Sequence, residues 1–325
     1  MLPNFSYVRP GTLAEAIRHL GTPGAQVHAG GTDLLGCLRD GVVAAEKVVS
    51  LAGVSDLRGI ADVGGELRIG ALSTLAEVAG HPLVKERCAA LAQAAAAVGS
   101  PQLRNQGTIG GNLCQRPRCW YFRGDFPCTR KGGDLCYAMQ GENQYHCILG
   151  GSACVMVHPS DTATALVALD ARVNVVGPRG RRAIPLESFF VLPDEDVTKE
   201  NVLDAGEILT EVVVPAGPAG FVSAYRKVRT RGSWDFALAG LAAALSFQEG
   251  RVDTARVVLG AAAPIPWRAT EAEKILAGSR LDQKSIGLAA AAAIRDAAPL
   301  EQNGYKVPMF RGLVQEVLEG MVPQP

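Results

Sequence analysis

Most cysteines of this 325-residue chain lie in one short stretch, and they are numerous enough to bind a metal centre. Six of the eight cysteines lie between residues 114 and 154, at Cys114, Cys119, Cys128, Cys136, Cys147 and Cys154. Structural zinc sites usually combine two C-x₂₋₄-C pairs, and this stretch has only one such spacing, from Cys114 to Cys119. Four widely spaced thiolates on a glycine-rich loop suit an iron–sulfur cluster instead. The spacing therefore favours a cluster, leaves zinc or no metal open, and does not choose four ligands among six cysteines.

Two glycine turns form a second candidate site. "AGGTDLL" begins at Ala29 and "TIGGNL" begins at Thr108. Paired glycines let the backbone approach an anion closely, and the exposed N–H groups can bind phosphate oxygens. Thr32, Asp33 and Asn112 could add side-chain contacts. Each turn alone is more often structural, but two in one chain predict a site for a dinucleotide pyrophosphate without revealing which dinucleotide.

Composition excludes several classes of function. Lys+Arg and Asp+Glu both total 32, so zero net charge argues against a dedicated nucleic-acid surface. No apolar run has the length of a membrane span. The N-terminal residues lack the basic and apolar segments of a secretory signal, which predicts a reducing compartment. Eight cysteines could also form four disulfides, but a chain with an ample core has little need of them. Basic residues near the cysteines would offset a cluster's negative charge; they are Arg116, Arg118, Arg123, Arg130 and Lys131, against Asp125.

The sequence predicts a mixture of α-helices and β-strands to position these residues. Thr12-x-x-Glu15 and Thr74-x-x-Glu77 each predict a capping box opening a helix. A strong alanine-rich helix is predicted from Glu86 to Gly99. Strands are predicted within 171–186 and 207–215, then a hairpin that turns at Glu249-Gly250, then helices near 270–278, 283–297 and 309–320. A domain boundary is predicted near residue 220.

Five segments in order resemble the FAD-binding subunit of the xanthine-oxidase-type molybdenum hydroxylases, over essentially the whole chain. They are "AGGTDLL", "TIGGNL", "PSDTATALVALDARV", "EILTEVVVP" and "YRKVRTRGSWDFALAG". Most members lack the cysteine stretch. "GGNLCQRPRCWYFRGDFPC" and "GENQYHCILGGSACVMVHPSD" are most similar to the FAD subunits of bacterial, periplasmic-type aldehyde oxidoreductases, which carry an extra [4Fe–4S] cluster. The matching subunit of 4-hydroxybenzoyl-CoA reductase stays an alternative.

The resemblance implies site residues. The FAD pyrophosphate would lie on Val27, His28, Ala29, Gly30, Gly31, Thr32, Asp33, Leu34, Thr108, Gly110, Gly111 and Asn112. Asp161 would bind an FAD hydroxyl, although a helix N-cap explains it equally well before the match. Ile208 and Leu209 would press on the isoalloxazine, and Lys227 would lie near the ring or its phosphates. The cluster ligands would be Cys119, Cys128, Cys136 and Cys154, with Cys114 and Cys147 as bystanders.

The resemblance also implies a fold and a role. The fold class is α+β: a two-part FAD-binding domain of the vanillyl-alcohol-oxidase type over residues 1–220, with an Fe–S insertion at about 114–155. A smaller α+β domain follows over 221–325. The implied oxidoreductase subunit passes electrons from a small partner with two [2Fe–2S] clusters to an external acceptor, while a large molybdenum-cofactor partner does the substrate chemistry. The complex would be cytoplasmic, or periplasmic if a signal-bearing partner exports it. A stand-alone flavoprotein oxidase and a zinc-stapled binding module remain alternatives.

Overall fold

The structure is a computed structural model that describes residues 1–322. It contains twelve β-strands: β1 Ser6–Val8, β2 Ala25–His28, β3 Lys47–Ser50, β4 Ile60–Val63, β5 Glu66–Gly70, β6 Arg172–Gly177, β7 Gly180–Pro185, β8 Ile208–Val214, β9 Val222–Val228, β10 Ala239–Gln248, β11 Arg251–Gly260 and β12 Trp267–Arg268. The α-helices are α1 Leu13–Leu20, α2 Leu34–Arg39, α3 Leu75–Gly80, α4 Pro82–Arg87, α5 Ala89–Ala97, α6 Pro101–Gln106, α7 Ile109–Leu113, α8 Trp120–Arg123, α9 Asp161–Ala168, α10 Thr270–Leu276, α11 Gln283–Ala292 and α12 Lys306–Glu319. No helix in this described part of the chain is long and apolar enough to cross a membrane.

The strands form three sheets. The first is parallel, in the order β1-β3-β2, and it carries the first glycine turn at the end of β2. The second is antiparallel and has five strands, in the order β4-β5-β8-β6-β7. The third is antiparallel, in the order β12-β11-β10-β9. This mixture of helices with antiparallel sheets confirms the predicted α+β class.

The third sheet is buried on both faces. Its two faces belong to different hydrophobic cores, so the sheet connects the two halves of the chain. Leu241 and Leu245 of β10 pack into one core with α10, α11 and α12. Ala242 and Ala244, which point the other way because strand side chains alternate, join the core around helices α5 and α9 of the N-terminal half. The sheet begins at Val222, and the boundary near residue 220 stays a prediction.

Several local predictions are confirmed. Thr74 and Glu77 form a complete capping box. The predicted hairpin turns at Glu249 and Gly250, whose φ angles of 51° and 73° suit a two-residue turn between β10 and β11. All three C-terminal helices are present, with shifted ends.

Two local predictions were wrong in detail. At Thr12, only half of the capping box forms, because the Glu15 carboxylate accepts from the Gly11 N–H at 3.1 Å. The alanine-rich helix is broken at Cys88, whose ψ of 54° separates α4 from α5. The Cys88 side chain is only 3% exposed within the main core. Packing there has overridden the helix propensity of the alanines.

Candidate functional site

The first glycine turn (residues 29–33) and the second glycine turn (residues 108–112) lie against each other. The Gln106 side chain, just before the second turn, donates to the Gly30 carbonyl at 3.1 Å. A Cβ atom on Gly30 would overlap the Gln106 carbonyl oxygen. Gly31 has φ of +73°, where a side chain is strained. The two turns that the sequence predicts for one pyrophosphate are therefore neighbours in space.

The second turn has a closed side and an open side. A Cβ atom on the buried Gly110 would lie 2.9 Å from the Cβ of Ala71, so glycine is needed there for packing. Gly111 is exposed, and a Cβ atom on it would meet only the Thr108 hydroxyl oxygen, at 3.1 Å. That hydroxyl also accepts from the Gly111 N–H at 3.2 Å and caps the start of α7. Gly111 is thus the point of the turn that an outside group can approach.

Asn112 ties the second turn to the start of α9. Its side-chain oxygen accepts hydrogen bonds from the Ser160 hydroxyl at 2.6 Å and from the Thr162 hydroxyl at 2.7 Å. Ser160 is the N-cap of α9 and accepts from the Ala163 N–H at 3.0 Å. This places Asp161, the first residue of α9, beside the turn. The sequence reasoning named both Asn112 and Asp161 but could not show that they are adjacent.

Asp161 lies at the centre of a buried polar group. Its carboxylate accepts from the Tyr225 hydroxyl at 2.6 Å and from the Lys227 ammonium at 2.8 Å. The side chains of Lys227 and Asp161 are only 4% and 6% exposed. Burial, and then the Asp161 carboxylate, raise the pKa of Tyr225 well above its usual value, so its hydroxyl keeps its proton and donates the hydrogen bond to Asp161. The ion pair with Lys227 balances the charge of Asp161. The sequence did not reveal this role of Lys227.

Asp33 turns toward the cysteine segment (residues 114–155). Its carboxylate accepts from the Arg116 backbone N–H at 2.7 Å. It also pairs with Arg118 at 2.9 Å and Arg123 at 2.7 Å. The arginines predicted to offset a cluster's charge are thus partly neutralised by this aspartate, which fastens the first glycine turn to the cysteine segment.

Other predicted FAD residues fall into two groups. Thr32 and Val27 are exposed, while His28, Ala29 and Leu34 are partly buried, and burial lowers the pKa of His28. Ile208 and Leu209 on β8 are buried on opposite sides of the sheet, in the cluster around α1 and in the main core respectively. Their contact with an isoalloxazine stays a prediction.

Four cysteines line one cavity, which is called here the cysteine cavity. Its empty space, mouth included, is about 320 Å³, and its thiols belong to Cys119, Cys128, Cys136 and Cys154. Cys114 and Cys147 are not among its lining residues. All eight cysteines are free thiols. The four cysteines around this cavity are those that the resemblance implies as cluster ligands.

The thiols around the cysteine cavity do not converge on one point. Within residues 1–322, no three His, Cys, Asp or Glu side chains converge closely enough to hold one metal ion. Thiols spread around a cavity could instead bind the separate iron atoms of a cluster. Burial raises the pKa of the Cys119 thiol to about 11, so a metal bound there must displace a proton.

A larger pocket adjoins the cysteine cavity and shares Cys119 and Met156 with it. Its empty space, mouth included, is about 920 Å³. Its walls include Ser160, Asp161 and Tyr225. Of these, Ser160 donates a hydrogen bond to Asn112 of the second glycine turn. Ile208 and Leu209 do not line it. The pocket therefore lies beside Asp161, between the second glycine turn and the cysteine cavity.

Sequence reasoning missed several buried polar residues beside these sites. His158 lines the larger pocket, and burial, followed by the charge of Arg130, lowers its pKa to about 3. Arg130 of the cysteine segment donates to the Glu200 carboxylate at 2.9 Å, with side chains 1% and 7% exposed. The position of His158 directly before Pro159-Ser160-Asp161 was the available clue. For Glu200 the sequence offers no clue, because its partner lies 70 residues away.

The sequence and the fold are similar to known proteins. A family model described as the FAD binding domain in molybdopterin dehydrogenase matches residues 3–217, and one for the CO dehydrogenase flavoprotein C-terminal domain matches residues 223–321. The aldehyde oxidoreductase FAD-binding subunit PaoB of Escherichia coli is 37% identical, with 97% of each chain covered. The carbon monoxide dehydrogenase medium chain of Hydrogenophaga pseudoflava is 28% identical, over 97% of this chain and 96% of that one. The solved structure of that organism's carbon monoxide dehydrogenase has a TM-score of 0.78 at 27% identity, over 99% of this chain and 100% of that one.

Proposed function

Since the chain belongs to the family of FAD-binding subunits of the xanthine-oxidase-type molybdenum hydroxylases, we propose a specific role for it within such an oxidoreductase. It is the FAD and [4Fe–4S] electron-transfer subunit of a heterotrimeric, molybdenum-containing aldehyde oxidoreductase. The observation that carries this proposal is the cysteine cavity, which four of the six clustered cysteines line. The similarity to an aldehyde oxidoreductase subunit supports the substrate class.

The chain's own residues would hold and insulate FAD. The pyrophosphate would lie on the two glycine turns, where Gly111 and Thr32 are exposed. Asp161 would accept from an FAD hydroxyl, because a carboxylate has more acceptor positions than its bonds to Tyr225 and Lys227 use. FAD, when bound, can take up single electrons and pass them on as a pair. Within the chain, Lys227 would balance the charge of the buried Asp161 carboxylate.

The cluster would be held by Cys119, Cys128, Cys136 and Cys154 as thiolates. Arg118 and Arg123, which belong to the cysteine segment, would bring positive charge near the cluster, although Asp33 offsets part of it. Partners of two kinds complete the proposal: a large subunit with the molybdenum cofactor and a small subunit with two [2Fe–2S] clusters. The name "medium chain" of one relative supports the existence of further chains. The compartment, cytoplasm or periplasm, would follow from a signal on a partner.

Analysis of the purified chain tests cofactors and role together. We expect flavin absorption bands with a broad iron–sulfur shoulder, about one FAD and about four irons per chain, as a [4Fe–4S] site requires. The chain alone should leave aldehydes unoxidised, while a chemical reductant or NADH should reduce a dye through it slowly. Co-expression with the two partner genes should restore aldehyde oxidation.

Each contrary result points to a different alternative. Aldehyde oxidation by the pure chain would overturn the subunit role and favour a stand-alone oxidase. A purified chain with one FAD and no iron would contradict the proposed cluster and leave the family assignment intact. Zinc without flavin would favour a stapled binding module.

A further inference from the structure

His146 touches one of the four thiols of the cysteine cavity. Its Nε2 atom lies 3.2 Å from Sγ of Cys119, within hydrogen-bond distance for sulfur. The two residues are 27 positions apart, at opposite ends of the cysteine segment. His146 lines the larger pocket and does not line the cysteine cavity. It therefore approaches Cys119 from outside the cavity and is placed beside the ligand set rather than in it.

The chemistry of a thiolate fixes the direction of this bond. A cysteine that binds iron has no proton to give, so Nε2 must be the donor and Sγ the acceptor. Within residues 1–322, Nδ1 of His146 has no hydrogen-bond partner. A neutral imidazole carries one N–H, and the atom with a partner is where that proton belongs.

The histidine is held in this position from both sides. The Trp120 ring packs edge-on against the imidazole, with centroids 5.9 Å apart. The His146 backbone carbonyl accepts from the Lys306 ammonium at 2.9 Å and from the Asn303 side chain at 3.1 Å. Lys306 is fully buried and also donates to the Ala261 carbonyl at 2.8 Å. The C-terminal domain thus sets the position of a residue in the cysteine segment.

We propose that His146 is a positioning residue that donates a hydrogen bond to the Cys119 thiolate and thereby raises the reduction potential of the cluster. The inference rests on the proposed function, because it requires a cluster on Cys119. Reduction adds one negative charge, which spreads onto the sulfur ligands. A hydrogen bond to a ligand sulfur stabilises that extra charge more than it stabilises the oxidised state, so the potential rises.

Two substitutions at His146 distinguish the effect of the hydrogen bond on the potential from the effect of a side chain that only fills the space. His146→Leu removes the donor and keeps an apolar group of moderate size. His146→Gln keeps an N–H at about the position of Nε2. In the full chain, potentiometric titration followed by electron paramagnetic resonance should show a lower midpoint potential for the leucine variant. The glutamine variant should remain close to the unmodified protein. His19→Gln, at a partly buried histidine on helix α1, is the control and should leave the potential unchanged.

A spectroscopic measurement on the unmodified protein keeps the proposal testable if the leucine variant loses its iron. After ¹⁵N-histidine labelling, pulsed resonance of the reduced cluster should show coupling to one histidine nitrogen. The His146→Gln variant should lose this nitrogen coupling and keep the midpoint potential.

Failure of this inference can be told from failure of the proposed function. An unmodified chain without iron would overturn the cluster itself. Four irons in the His146→Leu variant with an unchanged midpoint potential would overturn only the role of His146. So would an equal shift in the leucine and glutamine variants, or the absence of a histidine coupling in the unmodified protein.

Discussion

Lys227 Nζ lies 2.8 Å from the Asp161 carboxylate, and both side chains are almost completely buried. Lys227 belongs to β9 of the third sheet, and Asp161 begins α9 of the FAD half. Through Ser160 and Asn112, the same group of hydrogen bonds reaches the second glycine turn. The C-terminal domain therefore takes part in fixing the predicted FAD site.

Lys227→Met should destabilise the protein strongly, because it leaves the buried Asp161 carboxylate with only the Tyr225 hydroxyl as a donor. Breaking a buried pair in this way costs about 3–5 kcal/mol of unfolding free energy. Arg226→Met is the matched control on the same strand. Arg226 pairs with Glu316 at the surface, where the side chains are 62% and 58% exposed, so we expect a loss below about 1 kcal/mol. Urea unfolding of both variants gives the comparison; equal losses would contradict a structural role for the buried pair.

Gly111→Ala should weaken FAD binding while changing the stability of the FAD-free protein little. The protein leaves space for its Cβ apart from the Thr108 hydroxyl at 3.1 Å, so the added methyl group would chiefly obstruct a phosphate. Gly30→Ala should harm both properties, because its Cβ overlaps the Gln106 carbonyl. Flavin content and thermal unfolding, measured together, separate the two effects.

Gly36→Ala is the control for these glycine variants. Its Cβ meets nothing within 4 Å on helix α2, so it should keep FAD and gain up to about 1 kcal/mol of helix stability. Full flavin occupancy in Gly111→Ala would show that the second turn does not hold the pyrophosphate.

Single Cys→Ser changes at Cys119, Cys128, Cys136 and Cys154 should lower the iron content toward none or leave a three-iron species. The reason is that each thiol lines the cysteine cavity, and a site with three thiolates leaves one iron open to solvent and oxidant. The same change at Cys114 or Cys147 should keep about four irons. Iron analysis checks this; loss of iron at Cys147 with retention at Cys154 would show that the fourth ligand is misassigned.

The stability of the protein should fall in mild acid partly through His158. Its pKa is lowered to about 3 by burial and by Arg130, whereas an unfolded histidine titrates at about 6.5. Between these values the unfolded state binds the extra proton, so the unfolding free energy falls as the pH drops from about 6.5 toward 3, by about 1.4 kcal/mol per pH unit. Going from pH 7 to pH 5 should cost the unmodified protein about 2 kcal/mol more than it costs His158→Gln.

A second histidine provides the control for this pH dependence. His19 on α1 is only partly buried, and His19→Gln should keep the acid sensitivity of the unmodified protein. Denaturant midpoints at the two pH values are sufficient for the measurement. Identical acid sensitivity in His158→Gln and the unmodified protein would rule out His158 as the source.

Local sequence patterns determined several helix ends and turns of this protein. Thr74 and Glu77 predicted a complete helix cap, and Glu249-Gly250 predicted the hairpin, because caps and turns depend on residues next to one another. The order of the glycine turns and the later motifs was sufficient to identify the family. Cysteine spacing alone left zinc, a cluster and no metal open.

Tertiary structure decided which groups meet. The thiols of Cys119 and Cys154 share a cavity that Cys114 does not line, although Cys114 is close to Cys119 in sequence. Asp33 turned toward arginines of the cysteine segment, and Lys227 turned toward Asp161. The physical reason is that a buried charge must find an opposite charge or a donor. That partner is supplied by whichever distant segment the packing brings near, and neighbouring residues in the sequence do not specify it.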